Sequence, residues 1–89
     1  MATAGGRTFP GKVRLEHHGG AGTVVAQFRP DLAGPGFIAE GYEARAKDRV
    51  QTATGLTSEE ALLQLAIGLL GLKGNIGLDQ FHVSTRVDQ

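Results

Sequence analysis

The amino-acid sequence predicts an α+β fold, with a mainly antiparallel four- or five-stranded sheet and one main helix packed on one face. Three observations lead to this prediction. Two early stretches alternate apolar and polar residues around a glycine-rich turn, a later stretch is apolar at helical spacing, and the final stretch alternates again. Alternating stretches joined by short turns pair as antiparallel hairpins, so we expect hairpins rather than parallel crossover units.

The chain is short enough to form one domain. It has 89 residues, of which 40% are hydrophobic and 20% charged, and its formal net charge is zero. This composition supports a core and differs from that of disordered chains. We predict a flexible amino-terminal arm over residues 1–11, which hold glycines and Pro10 but no apolar run, and one small domain over residues 12–89. A core of this size is marginal, and association with another chain is a common remedy.

The composition also excludes several classes of protein. The sequence has no cysteine, which rules out disulfides, thiolate zinc sites and a cysteine nucleophile. The strongly apolar stretch over residues 61–72 is shorter than the about 20 residues that cross a bilayer, and the amino terminus does not resemble a signal peptide. We therefore expect a soluble, cytoplasmic protein that does not interact with membranes.

The first two predicted strands form a hairpin. Residues 12–18 and 23–29 alternate with a period of two, as half-buried strands do. Between them, residues 19–22 contain three glycines and form the turn. The positions that share the inward face are Val13, Leu15 and His17 on the first strand and Val24, Ala26 and Phe28 on the second.

Two further strands are predicted over residues 37–46 and 49–54, joined by a two-residue turn. Phe37 and Ala39 share one face of the strand before Gly41. After Gly41 the apolar positions shift by one residue, and Tyr42, Ala44 and Ala46 occupy that face. Such a change of phase indicates a β-bulge at Gly41. This interpretation turns Tyr42 toward the core and leaves no aromatic residue on the opposite face of the sheet.

The helix is the most clearly marked element. Thr57, followed three residues later by Glu60, forms a capping box just ahead of the apolar run. We expect the helix to end near Leu72, because Lys73 suits the negative end of the helix dipole and Gly74 is a typical stop signal.

The last strand is predicted over residues 79–87. Its apolar and polar positions alternate, so every second residue from Phe81 onward should face the core. The residues expected to face inward are Phe81, Val83, Thr85 and Val87.

The predicted helix is more apolar than packing on one sheet requires. Its apolar residues cover roughly 240° of the circumference, whereas a stripe of about 100° is enough for a surface helix. We therefore predict that the helix binds a second copy of the chain or another protein. In the alternative, the last strand and the arm of the same chain cover it. The predicted protein interface consists of Leu62, Leu65, Leu69, Leu72 and Gly68.

A basic sheet face leads to a second hypothesis, nucleic-acid binding. Alternation sends most lysines and arginines outward, and such a face would bind phosphates with a salt-sensitive affinity. The aromatic platform on which bases stack is missing from the prediction, however. The alternative is a solvated face whose charges deter aggregation. The candidate residues are Lys12, Arg14, Arg29, Arg45, Lys47, Arg49 and Arg86.

The sequence indicates no catalytic residue, metal site or cofactor. His17 and His18 are neighbours on a strand and point to opposite faces, so they cannot hold one metal ion together. The glycine-rich stretch over residues 68–73 ends a helix, whereas a phosphate cradle needs the start of one. We therefore expect a non-enzymatic protein without cofactors or small-molecule substrates.

Two short pieces resemble the HicB-like antitoxin domain. Residues 28–34 are similar to the F-x-P-D-L-P-G signature that ends a strand in that family, and residues 55–62 are similar to its G-D-T-x-E-E-A-L signature that opens the helix. Here residues 35–54 separate the two pieces, which the family keeps close together. The resemblance implies a small sheet with one helix and a protein partner, a toxin that the domain neutralises.

Overall fold

A computed structural model of the chain describes residues 12–86, so the predicted arm over residues 1–11 and position 87 lie outside the described residues. The five strands form one antiparallel sheet in the order β4-β3-β2-β1-β5. The predicted α+β fold is confirmed. The elements are β1 (Lys12–His17), β2 (Thr23–Pro30), β3 (Phe37–Glu43), β4 (Gln51–Gly55), α1 (Ser58–Leu70), a short 3₁₀ helix (Leu78–Gln80) and β5 (Phe81–Arg86).

The chain folds as a four-stranded meander followed by a helix and a returning strand. After β4, α1 crosses one face of the sheet, and β5 then pairs with β1 at the opposite edge. The helix lies mainly over β4 and β3 and to a smaller extent over β2. Ile76 and Leu78, in the connection that follows α1, also pack against the core. We call the face that α1 covers the inner face and the other one the open face.

The core forms between the inner face and α1. Cross-strand partners share a face, and the pairs Val13–Ala26 and Leu15–Val24 bring apolar side chains together on the inner face. Fully burying a valine or leucine side chain contributes about 1.5 to 3 kcal/mol. The buried hydrophobic residues are Val13, Leu15, Val24, Ala26, Phe28, Ala39, Ala61, Leu62, Leu65, Ala66 and Phe81.

The predicted β-bulge at Gly41 is wrong. The pairing between β2 and β3 is continuous, with Ala26 opposite Gly41 and Val25 opposite Tyr42. Without a bulge the alternation never changes phase, so Tyr42 lies on the open face together with Val25. The open face therefore does carry an aromatic residue.

The predicted tight turn between the third and fourth strands is also wrong. β3 ends at Glu43 and β4 begins only at Gln51. Between them the backbone makes two successive turns, in which the N–H of Ala46 donates to the carbonyl of Glu43 and the N–H of Arg49 donates to the carbonyl of Ala46. The N–H of Ala44 still donates to the carbonyl of Thr23 on β2 at 2.8 Å, and residues 45–50 then form the connection outside the sheet.

The helix begins as predicted and ends earlier. The Thr57 hydroxyl oxygen accepts the N–H of Glu60 at 3.0 Å, and the Glu60 carboxylate accepts the N–H of Leu56 at 2.9 Å. Gly71, in the left-handed conformation with φ 67°, caps the other end. The helix ends before the predicted stop because Gly71, within the apolar stretch, adopts this conformation without strain. In the described part of the chain, no helix is long and apolar enough to cross a membrane.

The last strand is shorter than predicted at its start. Residues 78–80 form the 3₁₀ helix, in which the N–H of Gln80 donates to the carbonyl of Gly77 at 3.0 Å. β5 therefore begins at Phe81, which is buried as predicted. Val83 lies on the inner face opposite Leu15 as predicted, but its side chain is 41% exposed.

Candidate interaction surfaces

The predicted helix interface does not form one surface. Leu62 and Leu65 are 3% and 1% exposed and belong to the protein's own core, because they lie on the side of α1 that faces the sheet. Leu69 and Leu72 are half-buried and pack against that core. Gly68 is exposed, and a side chain added there would meet only the Gln51 carboxamide oxygen, 3.9 Å away. Leu62 and Leu65 are thus corrected from interface to core.

A different flank of α1 remains partly uncovered. Leu63, Ile67 and Leu70 follow helical spacing and are each half-buried. Leu63 and Ile67 form one wall of a groove of about 530 Å³, and the segment from Gly74 to Gln80 forms the other. The Gln80 carboxamide donates to the carbonyl of Asn75 at 3.0 Å and holds this second wall together. The groove is wide, with polar groups along its rim.

The outer edge of β5 is the second uncovered surface. The N–H of His18 donates to the carbonyl of Gln80 at 2.9 Å, in register with the pairing of β1 and β5. Hydrogen-bonded and non-bonded pairs alternate along an antiparallel ladder. His82 and Ser84 therefore direct their backbone groups toward β1, whereas Phe81 and Val83 direct theirs away from it. In residues 12–86 no other strand pairs with this outer side.

The side chain of Val83 makes this edge apolar. Of the large hydrophobic side chains that are exposed in the described part of the chain, Leu32, Val50 and Leu56 lie in connections, and Val83 alone lies in a strand. It stands on the inner face, opposite the fully buried Leu15. The edge thus combines unpaired backbone groups with an apolar side chain.

Apart from Arg86 at the end of β5, neither outer strand carries the charged residues, prolines or bulges that usually block pairing between chains. β4 reads Q-T-A-T-G and β5 reads F-H-V-S-T-R, and both pair without a bulge. The one charged residue in the two strands is Arg86, at the end of β5. Both edges are therefore chemically open to another strand.

The open face is less basic than predicted. Lys12, Arg14 and Arg29 lie in the register positions of this face, but Glu16 and Glu40 lie there too. The guanidinium of Arg29 lies 2.6 Å from the Glu40 carboxylate, so one of the three cations is already paired. The face therefore has mixed charge.

Three of the remaining predicted cations do not lie on this face. Arg45, Lys47 and Arg49 belong to the connection between β3 and β4, because the local turns there displace them from the sheet. Arg45 also contacts the Glu43 carboxylate at 3.3 Å. Arg86, the fourth, pairs with Lys12 across β5 and β1 and therefore occupies a register position of the open face, but its side chain lies outside the described part of the structure.

Tyr42 lines a small depression in the open face. The depression has a volume of about 180 Å³, and its walls include Val25, Gln27 and Val50. The ammonium nitrogen of Lys12 lies 5.9 Å from the centre of the Tyr42 ring, within the range of a cation–π contact. The alternating pattern of the sequence places Tyr42 on the open face only if β3 runs through Gly41 without a bulge.

The histidines are not brought together as a metal site. His17 packs its ring edge-to-face on Phe81 at 5.1 Å, and its Nδ1 accepts the N–H of Ala21 at 3.3 Å. His82 pairs with Glu16 across the sheet, on the open face. Among the described residues, no three histidine, aspartate or glutamate side chains are grouped as metal ligands would be.

The two pieces that resemble the HicB-like domain meet at one end of the sheet. Pro30 pairs with Phe37, and Phe37 pairs with Gly55 at the start of the second piece. Their separation in sequence is thus bridged by the β2–β3–β4 meander. Comparison of the chain with protein-family models, with curated proteins and with solved structures found no match to any of them.

Proposed function

We propose that this chain is a non-enzymatic assembly module that associates with a second copy of itself. The observation that carries the proposal is the exposure of Val83 beside a strand edge that no other strand of residues 12–86 pairs with. Soluble proteins normally block such edges, because unpaired N–H and C=O groups bind other strands. Here the edge is left open at a position where association would also bury apolar surface.

The size of the core also supports association. In the described residues the core rests on eleven buried hydrophobic residues, four of them alanines. Alanine buries little surface, and apolar burial stabilises by about 25 cal/mol per Å². A second chain that covers Val83 adds apolar burial that the small domain lacks by itself.

The mass of the protein in solution tests this proposal. Light scattering from about 1 µM to about 1 mM should show a monomer–dimer equilibrium that shifts with concentration. We expect the dimer to persist in high salt, because backbone hydrogen bonds and apolar contacts are not screened as surface ion pairs are. A protein that stays monomeric over this range would contradict the proposal.

A second candidate function is nucleic-acid binding by the open face. The observation in its favour is the position of Tyr42, which puts an aromatic ring beside Lys12 on a face that also carries Arg14. Sheets that bind single strands combine aromatic platforms with cations in this way. The ion pair of Arg29 with Glu40 and the presence of Glu16 weigh against it.

Replacing Tyr42 by alanine tests the second candidate. If a base stacks on the ring, affinity for a single-stranded oligonucleotide should fall by about 1 to 3 kcal/mol. Fluorescence anisotropy at about 50 mM and about 200 mM salt measures the affinity and its electrostatic part. Arg45→Gln, in the β3–β4 connection, is the control and should change the affinity much less. Equal affinity of wild-type protein and Tyr42→Ala would exclude this function.

A further inference from the structure

We infer that two copies of the chain pair β5 with β5 in antiparallel orientation, about a two-fold axis at Val83. The pairing would join two five-stranded sheets into one continuous sheet with β4 at both ends. The inference rests on the proposed self-association and specifies its geometry.

The backbone groups determine the register. By the alternation established above, Phe81, Val83 and Thr85 direct their N–H and C=O groups toward the outer edge. An antiparallel pairing centred on Val83 places Val83 opposite Val83 of the second copy, and Phe81 opposite Thr85. Every outward pair then exchanges both hydrogen bonds. Moving the centre to His82 or Ser84 would leave one outward residue without a partner inside the strand.

The side chains agree with this register. Opposite residues share a face in an antiparallel pair, so the inner faces of both copies, each with its α1, lie on the same side. The exposed Val83 side chain then packs against its counterpart, and the polar pair of His82 and Ser84 lies on the open face. Arg86, the one charged residue of β5, stands opposite Gln80. No like charges oppose each other.

The edge formed by β4 is a weaker candidate. There the N–H of Asp31 donates to the carbonyl of Gly36, in register with the β2–β3 pairing, and the alternation leaves Thr52 and Thr54 with outward backbone groups. Both side chains are polar, so pairing here would bury no exposed apolar side chain of the strand. Pairing β4 with β5 of another copy would leave a free edge at each end and continue indefinitely. The two-fold pairing of β5 closes after two copies.

Replacing Val83 by proline tests the geometry. Proline removes the N–H that points to the outer edge, while the hydrogen bonds of β5 to β1 come from His82 and Ser84 and remain. Two intermolecular hydrogen bonds are lost in each dimer, so the dissociation constant should rise on the order of tenfold or more. Sedimentation velocity measures the constant. Thr52→Pro makes the same change at the β4 edge and should leave the constant unchanged.

A cysteine at the same position gives a second readout, which does not depend on whether β5 still forms with a proline at position 83. The natural sequence has no cysteine, so Val83→Cys places one thiol in each chain. Opposite Cα atoms of a hydrogen-bonded antiparallel pair are about 5.5 Å apart, which suits a disulfide. We expect rapid covalent dimerisation on mild oxidation, and slow dimerisation for Thr52→Cys.

The outcomes separate the two proposals. A monomeric wild-type protein overturns the self-association itself. A wild-type dimer whose constant is unchanged in Val83→Pro, and in which Val83→Cys forms disulfides no faster than Thr52→Cys, overturns the β5 geometry alone. Weakening by Val83→Pro together with selective crosslinking of Val83→Cys supports the pairing of β5 with β5.

Discussion

Replacing Leu65 by alanine is expected to lower the free energy of unfolding by about 2 to 5 kcal/mol. Leu65 is 1% exposed and is among the largest fully buried side chains of the protein. Truncation removes the transfer free energy of its methyl groups and leaves a cavity between α1 and the sheet. Urea denaturation followed by circular dichroism measures the change. Because small domains are stable by only about 5 to 15 kcal/mol, this loss is a large part of the total.

The neighbouring residue provides the control. Gln64 is exposed on the same helix, and alanine is the best helix former, so Gln64→Ala should change stability by less than about 0.5 kcal/mol. The folded fraction of Leu65→Ala should retain the dimerisation of the wild-type protein, because Leu65 contacts the core. If Leu65→Ala lost its association but kept the stability of the wild type, Leu65 would belong to an interface, which would contradict the packing described above.

Replacing Gly55 by alanine is expected to lower the free energy of unfolding by about 1 to 3 kcal/mol. A Cβ atom at Gly55 would lie 2.4 Å from the backbone nitrogen of Ala61 and 2.8 Å from the carbonyl carbon of Glu60. These are atoms of the first helical turn, which cannot yield as a flexible side chain can. The end of β4 and the start of α1 would have to separate. Thermal unfolding measures the loss.

Gly34 supplies the matched control. An alanine at Gly34 would meet no described atom within 4 Å, so the same change should leave stability within about 0.5 kcal/mol of the wild type. If the two variants unfold at the same temperature, the close approach of β4 to α1 is not a constraint, and the junction is looser than its geometry indicates.

The parts of the fold that depend on neighbouring residues could be predicted from the sequence. Alternation over the first hairpin identified Val13 and Leu15 as core residues, and both are buried. The spacing of Thr57 and Glu60 located the helix start, because the capping hydrogen bond joins residues three positions apart. Such signals are local, and a single sequence contains them in full.

The face of the sheet on which each β3 residue after Gly41 lies could not be predicted. A glycine within a strand can mark a β-bulge, but it can also mark a place where a neighbouring strand approaches closely. Gly41 suggested a bulge, yet the chain there is regular. A Cβ at this position would lie 2.1 Å from the carbonyl oxygen of Val25, so the glycine permits a close approach to β2. Ala44 and Ala46 lie in turns, but as apolar residues at alternate positions they fit the pattern of a strand that continues past Glu43. The position of Tyr42 was misread for this reason.

The candidate surfaces depend on contacts between distant parts of the chain. The wide apolar arc of α1 did not reveal which side meets the sheet, so Leu62 and Leu65 were assigned to a partner interface instead of the core. The sequence also did not show that β5 returns beside β1, and this return makes the backbone of Val83 an outer edge. Strand order is set by tertiary packing, which local patterns do not encode.

The pairing of β1 with β5 also has a consequence for the time course of folding. These are the first and last described strands, so their contact closes the largest loop of the structure, whereas the meander and α1 use contacts between neighbouring segments. Loop closure of this kind comes late, after local contacts have reduced its entropic cost. Substitutions in β5 should consequently accelerate unfolding and leave the folding rate nearly unchanged. We therefore expect the strand that carries the proposed dimer contact to influence the lifetime of the folded state as well.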